Sequence, residues 1–449
     1  MSKYKYIIRD YHAIKEAEIK LDGITVLSGI NGCGKSTLSR WLYYLINGAK
    51  GFETFLFEEY KDKIGHILNR IQIACVDLER LIRNDDLLDK TSLYNLIKIT
   101  NEFDFVKYKR NIKIETIERL FLQALYNTKR FLSETMSMDL PDTRKARIFN
   151  YLNIDVEDKN FNQAIECFFE QNARLINKLS SQLKKDIKER DRNKFFDLIN
   201  EHFEIQNDIP SFIQLEEDDV DIIEKEHIST LFNMQQAVYI DTPMAVEMGD
   251  TENILWKALR DIMINEEQID EFSLKEKKLM LRVKGILEGE TVLEKGDLFK
   301  TNSLRYVSKD KKVNILLKDA ATGFKTFSYL QRLLENGLLN DETLLMIDEP
   351  EAHLHPQWIV EFARLLVLLN KELGLKIMIA SHNPDMVAAI HDIANKEGVL
   401  ENTNFYVAQP ENPKSHQYIF KDLGHDVGEI FESFNIALDN IGRYGRVDL

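Results

Sequence analysis

Cysteine is scarce. Cys33, Cys75 and Cys167 are the only three in 449 residues, too few and too far apart for a disulfide framework or a zinc pattern. No apolar stretch approaches the ~18 residues a membrane crossing needs, and the opening MSKYKYIIRDYHAIKEAEIK is too charged for a secretory leader. A cytoplasmic protein without a membrane segment is expected. Positive charge is also short: 59 Lys and Arg face 74 Asp and Glu, a net charge of −15. A chain coated in nucleic acid needs the opposite balance, so nucleic acid stays a candidate partner only through a local basic strip. Sustained heptads are missing too. IGHILNRIQIACVDLERLI and NQAIECFFEQNARLINKLSSQLKKDI read as helices, yet neither holds an a/d pattern for long, which argues against extended coiled-coil arms. What is present is an ordinary soluble composition, 44% hydrophobic and 30% charged, in a chain long enough for about two to three domains.

Residues 29–36 read GINGCGKS. A turn explains the glycines but does not require Lys35 followed by Ser36. The spacing Gly29-x4-Gly34-Lys35-Ser36 is the P-loop pattern, in which successive backbone N–H groups wrap a phosphate chain. The cradle would run from Asn31 through Gly32, Cys33, Gly34, Lys35 and Ser36 to Thr37. Lys35 would reach the β- and γ-phosphates, and the Ser36 hydroxyl would ligate Mg²⁺. Cys33 then fills a variable loop position rather than serving as a reactive thiol. Ile24, Val26 and Leu27 before the loop suit a buried strand; Leu38, Trp41, Leu42, Leu45 and Ile46 after it repeat at helical spacing. A helix starting there aims its free N–H groups at the phosphates.

A P-loop needs an acid on a neighbouring strand to hold Mg²⁺. LLMIDEPEAHLHPQW, residues 344–358, supplies one: Leu344 to Ile347 read as a strand buried on both faces, with Asp348 at its carboxyl end. Glu349 is placed to deprotonate a water aimed at the γ-phosphate. A second apolar run, Ile377 to Ala380, ends in Ser381-His382-Asn383-Pro384, where His382 would sense the γ-phosphate. His353 and His355 raise a zinc alternative, weakened by the lack of a third nearby ligand.

GINGCGKST, LLMIDEPEAHLHP and IMIASHNPDM, in that order, resemble the ABC-type ATPase heads of the RecF, SMC and overcoming-lysogenisation-defect group. The likeness is strongest to bacterial AAA-family ATPases of antiphage defence systems, and it covers about residues 1–48 and 230–410. The resemblance implies that Gly29 to Thr37 is the Walker A loop, Asp348 the Walker B metal ligand, and Glu349 the catalytic glutamate. It further implies that residues 351–356 are the D-loop and His382 the switch histidine. AATGFKTFSYLQRLL, residues 320–334, takes the place of the signature loop, with Thr322 and Gly323 offering a hydroxyl and an N–H to phosphate bound on another subunit. Ala321 stands where many relatives have serine, and Thr322 also reads locally as a helix N-cap. The strand-like AVYIDTP, residues 237–243, lies where a Q-loop is expected but ends without a clear glutamine; a water-bridged Mg²⁺ contact from Asp241 is the less favoured substitute. Tyr11 and His12 are expected near the nucleotide.

The resulting expectation is an α/β fold: an ABC-ATPase head, with a P-loop mixed sheet, flanking helices and an antiparallel lobe, interrupted by a large, mainly helical insertion. Residues 1–48 and 229–449 form the head and 49–228 the insertion. Short alternating segments GETVLEK, LRYVSK and KVNILL would build the antiparallel lobe. Glu216 to Asp221 reads as a solvated linker or loop, and KKDIKERDRNK, residues 184–194, more as an ion-pair face than a nucleic-acid strip. Lys107-Tyr108-Lys109-Arg110 is the other basic cluster.

The function expected is Mg²⁺-dependent ATP binding and hydrolysis, with ATP joining two or more copies of the chain. The resemblance implies a sensor or scaffold in antiphage or DNA-linked work. The segment after His382 has scattered acids and is too short for a nuclease domain of roughly a hundred residues, so a nuclease effector would be a separate polypeptide. The alternative is a nucleotide-gated scaffold with little or no hydrolysis; a transporter subunit fits the long insertion poorly. Replacing Lys35 by alanine should abolish ATP binding or turnover in a chain that still folds. Unchanged ATP affinity and turnover in the folded variant, by titration and phosphate release, would refute the P-loop reading.

Overall fold

A computed structural model describes residues 2–79, 114–136, 141–154, 161–205, 209–241, 253–264, 271–296, 302–352 and 354–432. The chain forms two compact units, one of Met1–Lys50 with Asp191–Leu449 and the other of Gly51–Arg190.

The first unit is built on β1 (Tyr4–Tyr11), β2 (Ile14–Lys20), β3 (Ile24–Ser28), β4 (Phe212–Glu217), β5 (Val220–Asp221) and β6 (Gln236–Ile240). After the short strands β7 (Gly289–Glu294), β8 (Ser303–Ser308) and β9 (Asn314–Leu316) come β10 (Thr343–Asp348), β11 (Lys376–Ser381), β12 (Thr403–Pro410) and β13 (Tyr418–Gly424). Among the described residues, ten of them make one mixed sheet in the order β5-β4-β1-β2-β13-β12-β3-β11-β10-β6. Strands β3, β10 and β11 are buried at every residue, which is why their sequences are unbroken apolar runs rather than alternating ones. Their parallel register sets Asp348 opposite Ala380 and Ser381 opposite Ser28, so three strand ends finish along one line. That line is where the site forms.

The three segments after residue 288 pair as the antiparallel sheet β7-β8-β9, as their alternation indicates. The helix Thr322–Glu335 fastens this lobe to itself through side chains: Gln331 accepts the Thr291 N–H at 2.9 Å and donates to its carbonyl at 3.0 Å. Helices Pro356–Leu373 and Pro384–Glu397 each begin on a proline and end on a glycine in the left-handed region, Gly374 and Gly398. Proline there loses no helical hydrogen bond, and glycine takes positive φ without steric cost.

The second unit is helical, with Ile114–Met136 packed against Phe161–Glu189. Lys184 pairs with Glu118 at 2.9 Å, Lys185 with Glu189 at 3.7 Å and Arg190 with Glu53 at 3.7 Å. Three of the six basic residues at 184–194 are thus paired with carboxylates. Lys107 to Arg110 lie outside the described residues.

The division differs from the sequence expectation at its second boundary. Residues 191–228 belong with the first unit because β4 pairs with β1 from Tyr4–Glu217 to Arg9–Phe212. The helix Arg192–His202 packs on the start of the helix Lys35–Glu79, with Phe196 edge-on to Trp41 and Ile199 against Gly48. Glu216 to Asp221, read as a solvated linker or loop, is a hairpin whose residues 218–221 are exposed. Glu217 is buried because the Tyr4 hydroxyl and the Asn233 N–H satisfy it, both at 2.8 Å.

Phe327, fully buried, stands edge-on to both Trp358 and Phe362 at ring distances of 5.5 and 5.4 Å. Phe327→Ala should destabilise this unit by about 3–5 kcal/mol. All three tryptophans, Trp41, Trp256 and Trp358, lie in the first unit, so urea unfolding followed by their fluorescence reports on it alone. A midpoint unchanged from wild type would contradict the packing.

Candidate active site

The chain leaves β3 at Ser28, turns through Gly29 to Gly34, and enters the helix Lys35–Glu79. Gly32 and Gly34 have φ of 83° and 103°, a backbone that side chains resist. Gly34 is excluded from substitution twice over, since a Cβ there would lie 2.6 Å from Ile14 Cγ1. Lys35, 6% exposed, donates from Nζ to the carbonyls of Gly29 and Ile30 at 2.8 and 3.0 Å, which holds its charge inside the curl of the loop. The Cys33 side chain is fully buried and burial pushes its thiol pKa up, so its side chain is no nucleophile.

Asp348, at the end of β10, is 5% exposed and receives the Ser39 hydroxyl at 2.9 Å and the Tyr239 hydroxyl at 2.8 Å. Burial raises its pKa, while hydrogen bonds from Ser36, Tyr239 and Ser39 oppose the rise. Ser39 and Tyr239 escaped the sequence reading. Ser39 was visible as the position one helical turn after Lys35; Tyr239 gains its role only from the pairing of β6 beside β10. Asp241, the less favoured candidate for a water-bridged metal contact, accepts the Trp256 indole N–H at 2.6 Å.

Glu349 follows in the left-handed region at φ 45°, with its N–H bonded to the Ala380 carbonyl at 2.8 Å. Such a backbone costs a non-glycine residue about 1–3 kcal/mol and is found where function holds it. His382 Nδ1 lies 3.3 Å from the Glu349 carboxylate, and both side chains are 44% exposed. Behind them Glu351 is buried: one oxygen accepts the Ser381 hydroxyl at 2.7 Å and the His382 N–H at 3.2 Å, and the other has no hydrogen-bond partner among the described residues. Burial raises its pKa. Glu351 was read only as part of the D-loop; it ties that loop to the His382 strand end. His355 caps the helix Pro356–Leu373 by accepting the Gln357 N–H, which leaves no metal role for that nitrogen, and His353 lies outside the described residues. Among the described residues no group of three or more His, Cys, Asp or Glu could hold a metal.

The loop and the strand ends open into a cleft of about 700 Å³. It is lined by Asn31, Gly32, Gly34, Lys35, Ser36 and Thr37 of the loop and helix start, by Glu349, and by His12, Ala13, His416 and Gln417. Thr322 and Gly323 are not brought to this cleft. They start the helix Thr322–Glu335, where a Cβ on Gly323 would meet the Trp358 ring at 2.8 Å. Thr322 is the first helical residue rather than the N-cap; Ala321 occupies that place with no side-chain bond.

A glycine-bent loop between a buried strand and a helix, with an acid at the end of a parallel strand beyond the adjacent one, defines a P-loop nucleotide-binding protein. The chain belongs to the AAA ATPase domain family, whose model matches residues 4–387. It is 34% identical over 129 residues to the energy-coupling factor transporter ATP-binding protein EcfA3 of Clostridium perfringens, covering 28% of this chain and 40% of that one. It is 41% identical over 69 residues to the methionine import ATP-binding protein MetN of Lactobacillus delbrueckii subsp. bulgaricus, covering 15% and 19%. The chain therefore spans less than half the length of these relatives. A solved Smc head domain from Pyrococcus furiosus, with an extended coiled coil and bound to the C-terminal domain of ScpA, aligns over 98% of this chain and 100% of its own at 10% identity, with a TM-score of 0.32. No described helix is long and apolar enough to cross a membrane.

Glu351→Ala should strand the Ser381 hydroxyl and the His382 N–H and cost about 1–3 kcal/mol, whereas Glu351→Gln keeps an acceptor and should cost less. Urea unfolding of both variants tests this; equal stability of the alanine and wild-type proteins would show that the carboxylate braces nothing.

Proposed function

We propose that this chain binds Mg²⁺-ATP in the cleft and hydrolyses it to ADP and phosphate, and that bound ATP joins two or more copies of the chain. The observation that carries the reading is one cleft lined by the phosphate loop, Lys35 and the Glu349 carboxylate, with His382 3.3 Å from that carboxylate. Asp348 and Ser36 would hold Mg²⁺. The fit is chemical: a buried carboxylate and hydroxyl oxygens are hard donors, and Mg²⁺ takes one or two such protein ligands and completes its shell with phosphate and water. The ion supplies charge neutralisation at the phosphates.

The residues divide the remaining work. Backbone N–H groups from Asn31 to Thr37 and the Lys35 ammonium offset phosphate charge. Glu349 accepts the proton of the attacking water, and His382 fixes the direction of that carboxylate. Thr322 and Gly323, which do not line their own chain's cleft, would complete the site of a second copy. The resemblance to antiphage ATPases supports a role as sensor or scaffold, acting with a separate effector such as a nuclease. A scaffold with little hydrolysis is the second reading, favoured by alanine at position 321.

Glu349→Gln removes the base but preserves size and leaves Asp348 in place. It should keep ATP affinity, lower turnover at least about 100-fold, and accumulate as an ATP-bound dimer in light scattering. A monomer at saturating ATP counts against the shared site. Single-turnover hydrolysis no faster in wild type than in Glu349→Gln would instead select the scaffold.

A further inference from the structure

Two surface patches of the first unit take no part in nucleotide chemistry, and they are opposite in charge. One is the helix Leu274–Leu287, which carries Lys275, Lys277, Lys278, Arg282 and Lys284 against the single acid Glu276. It packs on the helices Thr322–Glu335 and Pro356–Leu373 and buries Leu279, Val283 and Leu287. Leu274 and Leu281, two turns apart, remain 78% and 69% exposed. Lys275 and Lys284 are paired, with Glu372 at 3.5 Å and Glu290 at 2.6 Å; Lys277, Lys278 and Arg282 have no ion pair among the described residues. The other patch is the tip of the β4–β5 hairpin at the sheet edge, where Asp218, Asp219 and Asp221 are exposed and likewise make no ion pair among the described residues. Val220 lies between them at 56% exposure. Phe232 stands beside these acids, because its N–H donates to Glu217 and the next residue, Asn233, donates from its amide to Asp218 at 3.4 Å. Its side chain is 83% exposed.

We propose that these patches bind each other between copies of this chain, the lysine face of the helix Leu274–Leu287 in one copy seating on the acidic hairpin tip and Phe232 of the next. Phe232, Leu274 and Leu281 are the three most exposed large apolar side chains among the described residues. One such residue alone needs no explanation, but two set among unpaired lysines and one among unpaired aspartates have the make-up of an interface, apolar at its centre and charged at its rim. Both patches are exposed in the folded chain, so neither covers the other within it. A nucleic-acid backbone would satisfy the lysines alone, leaving Leu274 and Leu281 in water and Phe232 without a role. A second copy accounts for both patches at once. The contact is heterologous: each copy that joins leaves one patch of each kind free, so assembly continues into a ring or a filament. None of these residues lines the cleft, and the association therefore needs no ATP.

The test is sedimentation velocity of the full chain without nucleotide. Wild type should grow beyond a monomer as concentration rises and shrink as salt screens the charges. Lys277→Glu with Lys278→Glu sets acid against acid, and Asp219→Lys with Asp221→Lys sets base against base. Each double variant should weaken self-association at least about tenfold. Mixed in equal amounts, the two should assemble again, since each presents the charge that the other lacks, and that recovery also reports that both are folded. Leu281→Ser should weaken association with every charge intact. Wild type that stays a monomer at every concentration overturns the proposal, and so does association that survives both reversals or losses that mixing does not restore. A monomer that binds duplex DNA, and ceases to in Lys277→Glu with Lys278→Glu, would assign the basic face to nucleic acid instead.

Discussion

The Asp348 carboxylate is the point on which the site is assembled. It is 5% exposed, and an ionised carboxylate so placed is costly unless its oxygens are bonded. The three hydroxyls that satisfy it come from two elements: Ser36 and Ser39 from the helix after the P-loop and Tyr239 from the neighbouring strand β6. Each hydroxyl therefore ties its own element to the end of β10. The loop carrying Lys35 cannot drift from the acid without leaving a buried charge unmet, at about 1–3 kcal/mol for each lost partner. Pre-positioning of the phosphate loop against the metal-binding acid follows from that satisfaction.

A second tie runs across the next strand. Glu349 N–H on the Ala380 carbonyl and Glu351 on Ser381 and His382 join the ends of β10 and β11 beyond their ladder. The strained φ at Glu349 is tolerated because both neighbours are held. Its carboxylate is thereby presented to the cleft while Asp348 and Glu351, on either side, stay buried. Three acids within four residues thus divide into an accessible one and two enclosed ones, and the division comes from backbone geometry rather than side-chain chemistry.

Much of this was legible along the chain because it is local. A P-loop is a contiguous stretch whose glycine positions follow from backbone φ, and a buried parallel strand announces itself as an unbroken apolar run. Gly32, Gly34, Lys35, Asp348, Glu349 and His382 all follow from such rules, as does the antiparallel lobe. The boundary at 228 did not follow. The acids at 216–221 look solvated in sequence, but Glu217 finds Tyr4 and the Asn233 N–H only when β4 has paired with β1 across more than 200 residues.

The sequence by itself determined the strand–loop–helix unit, the two acids at the end of β10 and the histidine at the end of β11, since each is set by its immediate neighbours. The tertiary structure alone decided who touches them. Tyr239 reaches Asp348 because β6 lies beside β10, and Glu351 braces His382 because β11 lies on the other side. His416 and Gln417 share a cleft with the P-loop because β13 runs along β2. No local pattern encodes such neighbours: strand order is chosen by how the whole apolar set is buried, and a residue's partners across a sheet are fixed only when that order exists.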